Sequence, residues 1–200
     1  MFDALIIGGG AAGMQCALIL GSAKHTVYGK DKKTGIIMHQ KASHLQSALL
    51  NNVLGIAPGT TGMDILEQGK QHLAEQYPHV TQIEKEKVTA LSGQAGNFVV
   101  KTNKTEHKAR IIVVALGYTD LFRIEGLNEY LIPHRLSPPE KNRKQLQNTD
   151  HLVKEGIYVA GTLAGWRSQF AIAAGSGAQV ATDVLTLWND GKHTKVHDKI

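Results

Sequence analysis

The chain has 200 residues, 42% of them hydrophobic and 20% charged, and carries a formal net charge of +5. That is enough for one domain with a real core. No apolar run reaches the roughly 18 residues that span a membrane and no signal-peptide pattern precedes the first strand, so a soluble, cytoplasmic protein with no membrane partner is expected. The single cysteine, Cys16, excludes an intramolecular disulfide and C-x-x-C redox chemistry, and it reads as a small core residue. Basic residues are spread along the chain, with loose groups at 30–33, 141–144 and 192–199. They read as solvated surface that also favours an anionic cofactor, not as a nucleic-acid footprint. The histidines fall at no metal-ligand spacing, so no metal site is expected.

Phe2–Ile7 is an apolar run of strand length, followed by Gly8-Gly9-Gly10-Ala11-Ala12-Gly13, which reads G-x-G-x-x-G. A helix continues through Leu20 and ends at Gly21 and Ser22. Thr26–Lys30 reads as a second strand leading to Asp31, 18 residues beyond Gly13, close to where a dinucleotide site places its acid. Each part has a job. Gly8 permits the tight turn, Gly10 lets a pyrophosphate approach the backbone, and Gly13 lets the helix pack on the sheet. The helix N-terminus offers free N–H groups and a positive dipole end, and Asp31 accepts from the adenosine ribose hydroxyls.

From Lys32 to Asn51 the pattern is irregular and reads as a long functional loop. Turns at 52–55 and 58–59 lead to Thr61-x-x-Asp64, a capping box with Asp in place of Glu or Gln, opening an amphipathic helix to Gln76 that Pro78 stops. Val80–Ile83 reads as a short strand. Val88–Leu91, Asn97–Thr102 and Glu106–Arg110 read as a β-meander. Ile111–Leu116 reads as a separate buried parallel strand ending at Gly117. Pro133, Pro138 and Pro139 forbid a continuous helix in 121–152, which reads as a connector between an N-terminal part, 1–120, and a C-terminal part, 153–200. Gly156–Gly161 is a last buried strand and Gly165–Gln169 a loop. A small-residue helix then runs from Phe170 to Trp188. Gly175 and Gly177 cost it about 1 kcal/mol each in propensity, which makes sense if something packs closely against its first turns.

In order and kind, these segments resemble the FAD-binding domain of the thioredoxin-reductase-like flavoproteins, a branch of the pyridine nucleotide-disulfide oxidoreductases. Phe2 through Gly13, Asn52-Val53-Leu54-Gly55, Ile111 through Gly117 and Gly156 through Gly177 carry the likeness. The resemblance implies a three-layer Rossmann-like α/β domain, with a central parallel sheet, a β-meander on one side and helices on the other. It implies FAD as cofactor, with Ala115 and Gly117 near the phosphates, Gly161 and Thr162 at the ribityl chain, and Gln169, Phe170 and Ala171 facing the flavin. With Gly8, Gly10, Ala11, Ala12, Gly13, Asp31, Lys32, Asn52 and Val88 these make the expected cofactor-binding set.

The chain departs from the family pattern in three places. Residues 121–152 stand where the family inserts an NADPH domain, the C-x-x-C pair is missing, and Thr162 replaces an Asp. The first two departures argue against a working thioredoxin reductase, and the third weakens FAD affinity without forbidding it. The leading expectation is a small single-domain FAD oxidoreductase reduced by NAD(P)H or a protein donor at the open face, and the open face suggests a homodimer. A flavin-binding protein without turnover and a nicotinamide-binding Rossmann domain are the alternatives. No acid, base or nucleophile stands out. Trp166 reads as a ring-stacking or merely anchoring aromatic, and Arg167 as an anion holder or a surface cation.

Overall fold

The computed structural model describes residues 1–39, 43–118 and 122–196. Positions 40–42 of the expected long loop, Leu121 at the start of the connector and residues 197–199 of the last basic group lie outside them. Phe2–Ile7 forms β1, and both of its faces are buried: Ala4 and Ile6 lie in the core on one side of the sheet, Leu5 and Ile7 in the core on the other. This is why the run is continuous and not alternating. Helix α1 spans Ala11–Ser22, with Cys16 fully buried among its core residues. Burial pushes the Cys16 thiol far up, so it is an inert packing group.

The second strand, β2, is Thr34–Met38, and the expected strand at Thr26–Lys30 is a turn. The Thr26 hydroxyl donates to the Ala23 carbonyl at 2.7 Å and accepts from Gly29 N–H at 3.0 Å, closing the chain locally. Val27 at its centre is exposed. All of β2 is buried instead. Its Gly35 is required because a Cβ there would meet the Phe2 ring. The expected 32–51 loop thus holds a central strand, and also β3, Leu49–Leu50, which pairs with β4, Thr60–Thr61.

Helix α2, Gly62–Gln76, opens on the expected capping box, in which Asp64 N–H donates to Thr61 Oγ1 and Thr61 N–H to the Asp64 carboxylate. Strand β5 is Thr81–Glu84, and β6, Val88–Gln94, and β7, Asn97–Thr102, form the first hairpin of the meander. The expected strands at Glu106–Arg110 and Ile111–Leu116 are one element, β8, Glu106–Val114. Its first half pairs antiparallel with β7 and its second half parallel with β1.

Residues 122–152 fold into a two-stranded ribbon of β9, Leu131–Pro133, and β10, Lys144–Leu146, ahead of β11, Leu152–Lys154. Strand β12, Ile157–Val159, then enters the sheet beside β8. The central order is β11-β12-β8-β1-β2-β5, with β12, β8, β1, β2 and β5 parallel. Helices α1 and α3, Phe170–Trp188, cover one face, and the meander with the ribbon covers the other. The domain is therefore three-layered, as the resemblance implies. By length and composition α3 could cross a membrane, a feature the run-length reading missed. Here its Val180, Ala181, Val184 and Leu185 lie in the core against α1.

Candidate functional site

The strands end in step. Gly8 N–H donates to Ile37 O, Ala115 N–H to Ile7 O and Ala160 N–H to Val114 O, at 2.8–2.9 Å. Beyond these carboxyl ends opens a cavity of about 1210 Å³, the place where open α/β sheets hold ligands. Gly8, at φ +116°, turns the chain out of β1 where a Cβ would collide with the Ala115 carbonyl. A Cβ on Gly13 would strike the Gly8 carbonyl. Gly10 is different: among the described residues the nearest atom to its would-be Cβ is Ser43 Oγ at 3.8 Å, so its missing side chain leaves room in the cavity and not in the fold.

Two helix N-termini open on this space. Gly10 precedes α1 and Gln169 precedes α3, and neither supplies a side-chain cap or an acid in the first turn. The helices meet at Gly177, where a Cβ would collide with the Ala12 carbonyl, so close packing of α3 on α1 brings both starts to one site. Their unspent N–H groups and positive dipole ends suit an anionic ligand.

The turn after β12 is held from two sides. Gly161, at φ +74°, donates its N–H to Ser176 Oγ at 2.8 Å. The Ser176 hydroxyl bonds His151 Nε2 at 2.9 Å, and Trp166 Nε1 donates to the same nitrogen at 3.1 Å. That nitrogen is the acceptor, so His151 is neutral, and burial pushes its pKa below the ordinary imidazole range. On the other side, Leu136 N–H donates to His134 Nδ1 at 3.2 Å, and His134 Nε2–H donates to the Thr162 carbonyl at 3.1 Å. Burial lowers the His134 pKa too.

The lining is electropositive. Lys87, Arg123, Lys141, Arg143 and Arg167 face it, against one acid, Glu86, among the described residues. The Glu86 carboxylate accepts from Thr102 Oγ1 at 2.8 Å and pairs with His107 Nε2 at 2.9 Å, and these bonds, His107 first, hold its pKa down.

Of the expected cofactor-binding set, Gly8, Gly10, Ala11, Ala12, Val88, Ala115, Gly117, Gly161, Thr162, Gln169 and Phe170 line the cavity. Gly13 lies behind the motif, buried in the packing of α1 on β1. Ala171 is exposed on the first turn of α3, and Asn52 is exposed in the bend between β3 and β4; neither lines the cavity. Asp31 and Lys32 need correcting. They precede β2 instead of following it, at the end of the sheet where Lys33 O accepts from Asp3 N–H at 2.8 Å, away from the cavity. The position after β2 belongs to His39, which does line it. Sequence reading missed His39 and Glu86. Placing β2 on the buried run Gly35-Ile36-Ile37-Met38 finds the first, whereas Glu86 carries no local signal.

The family model described as "Pyridine nucleotide-disulphide oxidoreductase" matches residues 2–161. No curated protein matches the sequence. Among solved structures, a thioredoxin reductase from Gloeobacter violaceus aligns over 100% of this chain and 98% of that chain, with TM-score 0.73 and 15% identity. A ferredoxin-flavin thioredoxin reductase from Clostridium acetobutylicum covers 94% and 98%, with TM-score 0.69 and 16% identity. An oxidoreductase from Agrobacterium tumefaciens covers 92% and 97%, with TM-score 0.68 and 15% identity. At such identities the likeness is one of fold.

Proposed function

Because the chain belongs to the pyridine nucleotide-disulphide oxidoreductase family, we propose that it is a small single-domain FAD-dependent oxidoreductase that is not a dithiol reductase. One observation carries the reading: two uncapped helix N-termini open on one glycine-floored, electropositive cavity at the carboxyl ends of the parallel strands. The residues present fit FAD. Gly10 leaves open space beside an uncapped helix start, as a pyrophosphate needs. The cavity suits a ligand of dinucleotide size, and its cations outnumber its acids.

In this reading Gly8 through Ala12 hold the pyrophosphate. His39 and Glu86 stand in for Asp31 at the ribose, and Gly161, Thr162, Gln169 and Phe170 serve the flavin. Bound FAD would supply the hydride and electron transfer. The chain's own contribution is position and field. The start of α3 favours negative charge on the group it faces. His134 and His151, both neutral, hold the Gly161–Thr162 turn rigid without adding charge. With Cys16 as the one cysteine and that one buried, this sequence offers no thiol pair for dithiol chemistry.

A visible spectrum of the purified protein, before and after adding FAD and then under anaerobic NADH and NADPH, tests the reading. A flavin band with bleaching by either nucleotide is the expected result. A flavin band that no donor bleaches would leave a flavin-binding protein without turnover. A colourless protein that ignores FAD would overturn the cofactor assignment.

A further inference from the structure

The ribbon of β9 and β10 adds a second element to the cavity. Arg143 lies just before β10, and its carbonyl accepts at 2.9 Å from the N–H of His134, just after β9. Its guanidinium lies over the Tyr118 ring, 4.9 Å from the centroid. Its Nε is buried and has no hydrogen-bond partner among the described residues. The ribbon is clamped to the turn after β12. His134 bonds Thr162, Arg135 Nε donates to the Gly165 carbonyl at 3.0 Å, and the Arg135 guanidinium lies over the Trp166 ring at 4.7 Å.

Lys141, just before Arg143, and Arg167, just after Trp166, line the same cavity, and no ion pair involves any of these three cations among the described residues. The one lining acid among the described residues, Glu86, sits between β5 and β6 with its carboxylate already engaged by Thr102 and His107.

We propose that Arg143, with Lys141 and Arg167, forms an oxyanion subsite beside the Thr162 turn that takes the phosphate or carboxylate of a small-molecule redox partner. The inference rests on the flavoprotein reading of the same cavity, since it places the partner next to the residues assigned to the flavin. Arginine suits the role. Its planar fork grips two oxygens at once, and stacking on Tyr118 fixes the plane of that fork. The Nε of Arg143 is packed in the protein and its guanidinium is stacked on Tyr118, so the side chain is held at the cavity wall, unlike a freely solvated surface cation.

The test is calorimetric titration of the FAD-reconstituted protein with NADP⁺, inorganic pyrophosphate and succinate. It compares wild type with Arg143→Gln, Arg143→Lys and Arg167→Gln, and FAD affinity is measured separately for each. At least one probe is expected to bind, more weakly at high salt. Arg143→Gln should weaken it about tenfold or more, Arg143→Lys should restore only part of the loss, and any loss of FAD affinity should be smaller than the loss of probe affinity. Binding of the first two probes identifies phosphate recognition, and binding of succinate alone identifies carboxylate recognition. Equal affinities in wild type and Arg143→Gln, or no binding of any probe to the FAD-loaded protein, would overturn the subsite. Failure of the chain to take up FAD, with Arg143-dependent anion binding intact, would instead overturn the flavin reading and leave the subsite standing.

Discussion

Replacing Gly10 by alanine separates the fold from the ligand. The backbone at Gly10 is extended, with φ −79°, which alanine adopts freely. Among the described residues the added methyl has one neighbour, Ser43 Oγ at 3.8 Å, an ordinary contact. What stability Gly10→Ala loses comes from exchanging glycine for alanine at a helix N-cap, at most about 1 kcal/mol, or roughly 2–4 °C in Tm for a chain of this size. The methyl points into the cavity, where a pyrophosphate must come close to the backbone. If overpacking against a ligand costs what it does in a core, about 1–3 kcal/mol, FAD binding weakens roughly 5- to 150-fold. Gly13→Ala is the control of opposite sign: its methyl collides with the Gly8 carbonyl, which cannot move without breaking the turn out of β1, so the fold itself should fail. Thermal melts and FAD titrations of both variants decide it. Unchanged FAD affinity in a folded Gly10→Ala protein would refute the claim that the phosphates sit against this residue.

Gly175 and Gly177 lie two positions apart in α3 but should respond oppositely. Among the described residues nothing lies within 4 Å of a Cβ on Gly175, so Gly175→Ala should raise Tm by a few degrees through helix propensity of up to about 1 kcal/mol, while Gly177→Ala drives a methyl into the Ala12 carbonyl and should lower it sharply. Ser176→Ala strips the Gly161 N–H and the His151 ring of their shared partner; an unpaired buried donor costs about 1–3 kcal/mol, read as a lower Tm, and a Tm equal to wild type would show that the network is idle. Burial outweighs the carboxylates of Asp183 and Asp150 and lowers the His151 pKa, and burial lowers His134 likewise. The unfolded chain therefore takes up these protons at higher pH than the folded one, and the stability is full above about pH 6.5 and lost as pH falls through the folded values. Melts across pH 7.5 to 5 should show Tm falling with acidity, and a rising Tm over that range would contradict the assignment.

The fold was legible where its signals are local. The glycine motif between an apolar run and a helix, the Thr61 capping box and the long small-residue helix each declare themselves over a few residues. The reading erred where two candidates competed for one role. Thr26–Lys30 and Thr34–Met38 both carry β-branched residues, and Asp31 sat at a persuasive distance from Gly13. What decided against the first was tertiary: Val27 has nothing to pack on, while Ile36 and Ile37 are buried on opposite faces of the sheet. That one misplaced strand carried the expected acid to the wrong end of the sheet, and it follows that a spacing rule is only as good as the strand it is counted from.

The two glycines of α3 show the same dependence on context. Equal in propensity, they differ because the crossing with α1 falls on Gly177 and misses Gly175. The cations of the connector lay beyond any local rule. Nothing in Lys141 through Lys144 distinguishes a side chain aimed at a cavity from one aimed at water, and only the clamp of His134 and Arg135 on the turn after β12 settles which way the ribbon faces. The same contacts bear on the function. Residues 122–152 pack back onto the cavity and lend its wall the side chains of Lys141 and Arg143, which places two positive charges beside the turn after β12.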